Sequence, residues 1–273
     1  GIRDQPRSRG LGDVYKRQII DSSLGMLYGT ILSPALITAG YNPVAVIPSI
    51  LLSQAIGGFI ASVKHHKLGH VEYRVEKNIR QRLAELGYIE TFKRSLSRDL
   101  KVVFIISAAG VLATCVGALT AVSIPKTALK TYIGALVIVM GVVLLSRSVF
   151  GFSWKKIFGV GVLSAFNKGI SGGGFGPVVT TGQLIAGRRS KETIGATTSS
   201  EIPICLTGFA TYVLTKGIPS SNLLMPLLVG ATVGGWVGPR ITAKFRSERR
   251  IKTGLGVLVI ALGLYTLIKT WVL

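Results

Sequence analysis

Two stretches of this chain carry no charge over a length that a water-soluble fold seldom leaves bare. Residues 43–63 and 102–124 contain no Asp, Glu, Lys or Arg. About 20 apolar residues in a helix span the hydrocarbon core of a bilayer. In that solvent every backbone polar group must be satisfied within a helix or a closed barrel, so tracts of this kind predict membrane-crossing helices. Composition agrees, with 16% charged residues against about 25% in soluble domains. Further apolar segments are read at 19–40, 129–149, 154–170, 175–187, 191–215, 223–238 and 251–273. The expected fold class is an all-α polytopic membrane protein. Pro43 suits a first helical turn, where no N–H is needed, and Pro203 and Pro226 predict kinks within their segments.

A net charge of +21 would suit a nucleic-acid binder if the basic residues formed one face. They lie instead in the connections between apolar segments, where the positive-inside bias places them, which excludes nucleic acid as the partner. Cys115 and Cys205 both fall inside apolar segments and read as small core residues without a disulfide framework. Residues 1–18, GIRDQPRSRGLGDVYKRQ, are polar and lack the apolar core of a secretory signal. They are expected to be a non-native or disordered leader outside the membrane core, with a first repeat over 19–150 and a second over 151–273.

The long connection 64–101 holds ten Lys or Arg and all three histidines. Val71, Val75, Ile79, Leu83 and Leu86 recur at helical spacing with Arg74, Lys77, Arg80 and Arg82 between them. That pattern predicts an amphipathic helix on the anionic cytoplasmic surface, or a helix that binds a partner. The connection 240–252, RITAKFRSERRIK, carries six basic residues and should share that side. With 154–187 counted as one crossing, five simple crossings would separate the two connections. Parity is restored if 154–170 and 175–187 form a hairpin that enters and leaves on one side. The apex of that hairpin is the run KGISGGGFGPVVTTGQ, residues 168–183. Glycines allow a sharp reversal and close backbone packing. Irregular backbone at membrane depth is tolerated where it lines a cavity, so the apex is a candidate substrate site.

The first half repeats the pattern. GMLYGTILSPALITAG, residues 25–40, aligns with GGGFGPVVTTGQLIAG, residues 172–187. Gly25 and Gly29 match Gly172 and Gly176, Tyr28 faces Phe175, and Ser53–Gln54 faces Ser200–Glu201. With the topology above, the halves are related by inversion, an architecture of secondary transporters.

At these residues the chain resembles the TauE/SafE sulfite exporter family, also called the toluene sulfonate uptake permeases. The resemblance covers 19–273 and is carried by DSSLGMLYGTILSPALITAGYNPVAVIPSILLSQAIGGF, by HHKLGH and by GISGGGFGPVVTTGQLIAGRRSKETIGATTSSEIP. The first copy departs from the second, with GMLYGT in place of a glycine triplet. The resemblance implies a multi-pass protein of the bacterial plasma membrane that moves sulfite, sulfonates or other sulfur-containing anions. It implies no cofactor and no enzymatic reaction.

Few ionisable residues lie within the apolar segments. A charge at the bilayer centre costs at least ~2.5–3.5 kcal/mol and marks a functional site by default. Glu201 is such a residue, and is expected to carry a coupling proton. Lys168 and the N–H groups that open the half-helix after the glycines should attract an anion. The substrate-binding set expected is Lys168, Gly172, Gly173, Gly174, Phe175, Gly176, Thr180, Ser199 and Ser200. Gly25, Tyr28, Gly29, Thr30, Ser53 and Gln54 form its counterpart in the first repeat. A structural ion pair of Lys168 with Glu201 or with Asp21 is the alternative. GGGFGP follows no soluble strand and precedes no Gly-Lys-Ser/Thr, which excludes nucleotide fingerprints. His66 and His70 could share a helix face but lack further ligands, so no metal is expected. A membrane scaffold whose basic loop recruits a partner, and a passive anion channel, remain as alternatives to a carrier. Partners expected are the small anion and the lipid, with a homo-oligomer left open.

Overall fold

The computed structural model describes residues 28–76, 79–145, 153–185, 188–244 and 248–272. The expectations for residues 1–18, Asp21 and Gly25 lie outside them. The described residues form helices α1 (Tyr28–Thr38), α2 (Pro43–Lys67), α3 (Ile79–Ser95), α4 (Arg98–Ser123), α5 (Lys126–Leu145), α6 (Trp154–Ser171), α7 (Phe175–Ile185), α8 (Ser190–Lys216), α9 (Ser221–Lys244) and α10 (Glu248–Trp271). Among them α2, α4 and the Ser221–Ile241 stretch of α9 are long and apolar enough to cross a membrane. Each apolar segment read from the sequence contains one helix. Asn42 caps α2, its side chain accepting from Val44 N–H at 3.2 Å, with Pro43 in the first turn. Helices α8 and α9 run on through Pro203 and Pro226.

Side chains on the outside of the bundle are apolar. On α4, Phe104, Leu112 (74% exposed) and Val116 face outward, and on α9 Met225, Val229 and Val233 do so. A surface of this kind suits contact with hydrocarbon. Without a hydrophobic drive between helices in lipid, small residues that let backbones approach take over the packing. Helices α4 and α6 run parallel and touch at backbone level. A Cβ on Gly117 would lie 2.3 Å from Phe166 O, and one on Gly169 would lie 2.3 Å from Thr114 O. Helix α2 crosses α8 antiparallel, with His65 beside Gly195, Gln54 bonded to Glu201 and Leu51 beside Gly208. Helix α9 lies against α2, where Gly235 meets Gly57. Helix α10 runs antiparallel to α5, from Gly263 against Ile138 to Trp271 Nε1 donating to Thr131 Oγ1 at 2.9 Å.

Helix α7 lies back along α6. Gly174 sits against Asn167, and Gly182 against Val160. The basic ends of several helices share one end of the bundle: Lys64 lies 5.7 Å from the ring centre of Trp236, Val71 packs on Gly195, and Arg188 pairs with Asp99.

The amphipathic helix expected from Val71 is corrected. Among the described residues, 72–74 and Glu76 have no helical structure, and Val75 forms an antiparallel bridge with Leu96. The helix begins only at Ile79, and Gly87 interrupts it at φ 72°. Packing overrides the four-residue spacing. Val71 is buried against Gly195 at the start of α8, while Glu76 N–H donates to Ser95 O and Ser97 N–H to Arg74 O, both at 2.9 Å. The stretch 71–76 is an extended strap that ties α2 to α4.

Candidate functional site

The last turn of α6 ends in a glycine cap. Gly172 takes φ 71°, in the left-handed region, and its N–H donates to Lys168 O at 2.8 Å. That conformation closes a helix at little cost only without a Cβ. Gly174 follows at φ 78°, and α7 starts at Phe175. Ser171 Oγ accepts from Gly173 N–H at 3.1 Å, and Thr30 Oγ1 accepts from Gly174 N–H at 3.0 Å. Ser33 Oγ donates back to Ser171 O at 2.7 Å. The start of α1 therefore closes on the glycine turn, and a Cβ on Gly29 would lie 1.8 Å from Gly172 O. Gly29, Thr30, Gly172, Gly173 and Gly174 are brought together.

One turn before the cap, Lys168 is 1% exposed. Its ammonium is enclosed by protein. Nζ lies 2.8 Å from Glu201 Oε1 and donates to Gln54 Oε1. Gln54 Nε2 donates to the same Glu201 oxygen at 3.0 Å. The three side chains come from α6, α8 and α2. The ion pair with Glu201, one of the two structural alternatives, is thus present, and Gln54 adds an amide to it. The pair is closed inside protein, and burying two charges carries a desolvation cost that hydrophobic residues in their place would not incur.

The other expected residues are placed elsewhere. Tyr28 OH and Ser53 Oγ bond each other at 3.0 Å. Phe175 packs with Val102, Ile106 and Val179, and Gly176 is buried beside it in chain. Ser200 Oγ donates to Thr197 O at 3.0 Å. Ser199 Oγ donates to Gly195 O at 2.8 Å and bonds Ser62 Oγ at 2.6 Å and Tyr73 OH, so it faces α2 and the strap. Thr180 Oγ1 donates to Thr197 Oγ1 at 3.3 Å, and Gln183 Nε2 donates to the same atom at 2.9 Å.

A second polar cluster escaped the sequence reading. Arg188, 5% exposed, reaches Gln183 Oε1 with Nη1 and Asp99 Oδ1 with Nη2. Asp99 Oδ2 accepts from Glu72 N–H of the strap at 2.8 Å. Arg188 and Asp99 stand next to apolar segments, where charged residues ordinarily mark an interface, so nothing in the pattern separated them from their neighbours. The histidines also differ from expectation. His66 Nδ1 bonds Val71 O at 3.1 Å, and it is His65 and His70 whose Nδ1 atoms meet at 2.9 Å. The helix ends at Lys67, so the spacing from 66 to 70 no longer defines a face.

The comparisons bear on this geometry. A protein named probable membrane transporter protein YtnM, from Bacillus subtilis (strain 168), is 23% identical over 269 residues, covering 93% of this chain and 80% of the relative. No solved structure matches the chain. The family model described as Sulfite exporter TauE/SafE matches residues 86–266, a span that includes the glycine turn, Lys168, Arg188 and Glu201. This chain belongs to the sulfite exporter TauE/SafE family of membrane transporters.

Proposed function

We propose that the protein is a secondary transporter of small sulfur-containing anions of the sulfite or sulfonate type, coupled to protons and built from two inverted halves. The observation that carries this reading is the buried Lys168–Glu201 pair beside the junction of two short helices. Lys168 is the cation that an entering anion meets. Glu201 holds that cation while the site is without substrate. An anion that takes Lys168 leaves Glu201 in apolar surroundings beside a negative charge, and a carboxylate so placed is stabilised by binding a proton. Anion and proton then enter together, which is a coupling between two ligands. Gln54, the residue 147 positions before Glu201, keeps the pair aligned by bonding both.

The helix boundaries support the inverted repeat. α1 and α7, and the starts of α2 and α8, are 147 residues apart. α2 and α8 run antiparallel, as inversion requires. The contact of Gly57 with Gly235 has a counterpart in that of Ile204 with Gly110, since Ile204 is the repeat mate of Gly57. α6 and α7 act as a hairpin entering and leaving on the side of the basic connections, which the positive-inside bias assigns to the cytoplasm.

The test is flux in proteoliposomes. An imposed pH gradient is expected to drive uphill accumulation of sulfite or methanesulfonate. Glu201→Gln should abolish uphill movement and its pH dependence while leaving anion exchange. Flux that only runs downhill and ignores the pH gradient would identify a passive anion channel instead.

A further inference from the structure

The Arg188 cluster is built like the Lys168 cluster, with one cation and one carboxylate closed inside protein. It has free valence that the Lys168 cluster lacks. Arg188 Nε and Thr193 Oγ1 are buried with no hydrogen-bond partner among the described residues. A guanidinium carries its charge permanently and presents its N–H groups as a planar fork. In this fork Nη1 and Nη2 are taken by Gln183 and Asp99, and Nε is not. Thr193 lies in the first turn of the long helix α8, whose cap residue Arg189 makes no side-chain cap bond. The buried guanidinium edge stands two residues before α8, and the free hydroxyl lies in that helix's first turn, where Glu192 is turned to Arg189 at 3.9 Å; a guanidinium edge and a helix N-terminus both favour an anion.

The cluster also shares a helix face with the Lys168 pair. Gln183, which holds Arg188, donates to Thr197 Oγ1, and Thr180 reaches the same atom. Thr193, Thr197 and Glu201 succeed one another at intervals of four on α8 and lie on one face. The distance from Thr193 to Glu201 along that face is about 12 Å at 1.5 Å per residue. Polar side chains therefore succeed one another along α8 from the basic end of the bundle towards the Lys168 pair.

We infer that Arg188 is a second anion-binding station, between the Lys168 site and the water on the basic side, and that it selects oxyanions. The inference rests on the transporter reading above. Asp99 is the placeholder: its Oδ1 holds Nη2 between substrate passages, while its Oδ2 is held by Glu72 N–H and Nε stays open. A ligand that bridges the open Nε and the Nη2 that Asp99 gives up must offer two oxygens on one centre, as sulfite, sulfonates and carboxylates do and a halide does not. Lys168, a compact point charge, makes no such distinction. Substrate class is thus set at the mouth and charge compensation at depth. Asp99 also holds Glu72 of the strap, so an anion that displaces it from Arg188 loosens the strap from the same end.

Sulfite, methanesulfonate, acetate and bromide are titrated calorimetrically into the purified full chain in detergent, with variants checked for monodispersity and helical content. Asp99→Asn is expected to tighten oxyanion binding several-fold by removing the competitor. Arg188→Lys, which keeps the charge and loses the fork, should weaken oxyanions about tenfold and leave bromide within about twofold. Should Asp99→Asn not give monodisperse protein, the Arg188→Lys ratio of oxyanion to bromide decides alone. Binding that falls in Lys168→Gln but is the same in Arg188→Lys would overturn the station and leave the transporter reading intact. Binding indifferent to both lysine and arginine overturns both. Bromide binding without any oxyanion binding overturns the selectivity and with it this inference.

Discussion

At the scale of single residues, the Lys168–Glu201 pair separates structure from function in a way that substitution can read. Glu201→Gln leaves a buried ammonium without its counter-charge, and breaking a buried pair from one side costs about 3–5 kcal/mol. Replacing both residues by neutral ones is often near neutral in stability. Lys168→Gln combined with Glu201→Gln is therefore expected to recover most of the thermal stability lost by Glu201→Gln and none of the uphill transport. If transport returns with stability, the pair is a structural one. Outside the spanning helices, burial and the charge of Lys191 lower the pKa of His70 below its ordinary value near 6.5. The folded state then binds fewer protons than the unfolded one below that value. Stability from this group is full above about pH 6.5 and falls as the pH drops through the folded value. Thermal unfolding followed from about pH 7.5 to about pH 5 should show a decline that is shallower in His70→Gln. Both deep charges were legible because an isolated charge in an apolar segment cannot be ignored, and Gln54 was legible from its repeat offset. Arg188 and Asp99 were not, because burial at a helix end depends on what packs over it, and the strap that does so carries a helical spacing in Val71 and Val75.

At the scale of elements, the junction of α1 with the α6–α7 turn is a contact of backbone with backbone. A Cβ on Gly29 would stand 1.8 Å from Gly172 O, and one on Gly173 2.7 Å from Thr30 N. No rotamer change relieves such overlaps, so the two short helices must separate and the bond from Gly174 N–H to Thr30 is lost. Gly29→Ala is expected to lower the unfolding temperature by an amount matching about 1–3 kcal/mol or more of overpacking, and to stop transport. Gly159→Ala is the control, since a Cβ there meets nothing within 4 Å and alanine favours the helix by about 1 kcal/mol. Equal unfolding temperatures for the two variants would show that the junction does not need the close approach. Helix positions were readable because uncharged apolar length is a strong constraint in lipid. The strap was not. Val71 and Val75 satisfy the helical period and an extended stretch equally well, and the choice was made by Gly195, more than a hundred residues away.

At the scale of the whole molecule, the expected topology depends on the parity of crossings between elements far apart in the chain. Lys64 near Trp236, Val71 on Gly195 and Arg188 on Asp99 bring the basic connections to one end of the bundle, while Trp271 and Thr131 meet beyond Gly263 and Ile138, away from the start of α10. The charge bias then gives the sides: Tyr88 on α3 should face the cytoplasm, and Ile218, after α8, the outside. Both are open to reagent, at 81% and 77% exposure. In a background of Cys115→Ala and Cys205→Ala, single cysteines at these positions are to be labelled in intact cells with a membrane-impermeant maleimide. Ile218→Cys is expected to react in intact cells, and Tyr88→Cys only after the membrane is opened. The reverse pattern would invert the molecule, placing Arg188 at the outer mouth while leaving the order of the two anion stations unchanged. Labelling of both from outside would break the parity argument itself. The two positions lie on opposite sides whether α6 and α7 form a hairpin or each cross, so that outcome requires the pair to make one crossing between them, against the return of α7 along α6.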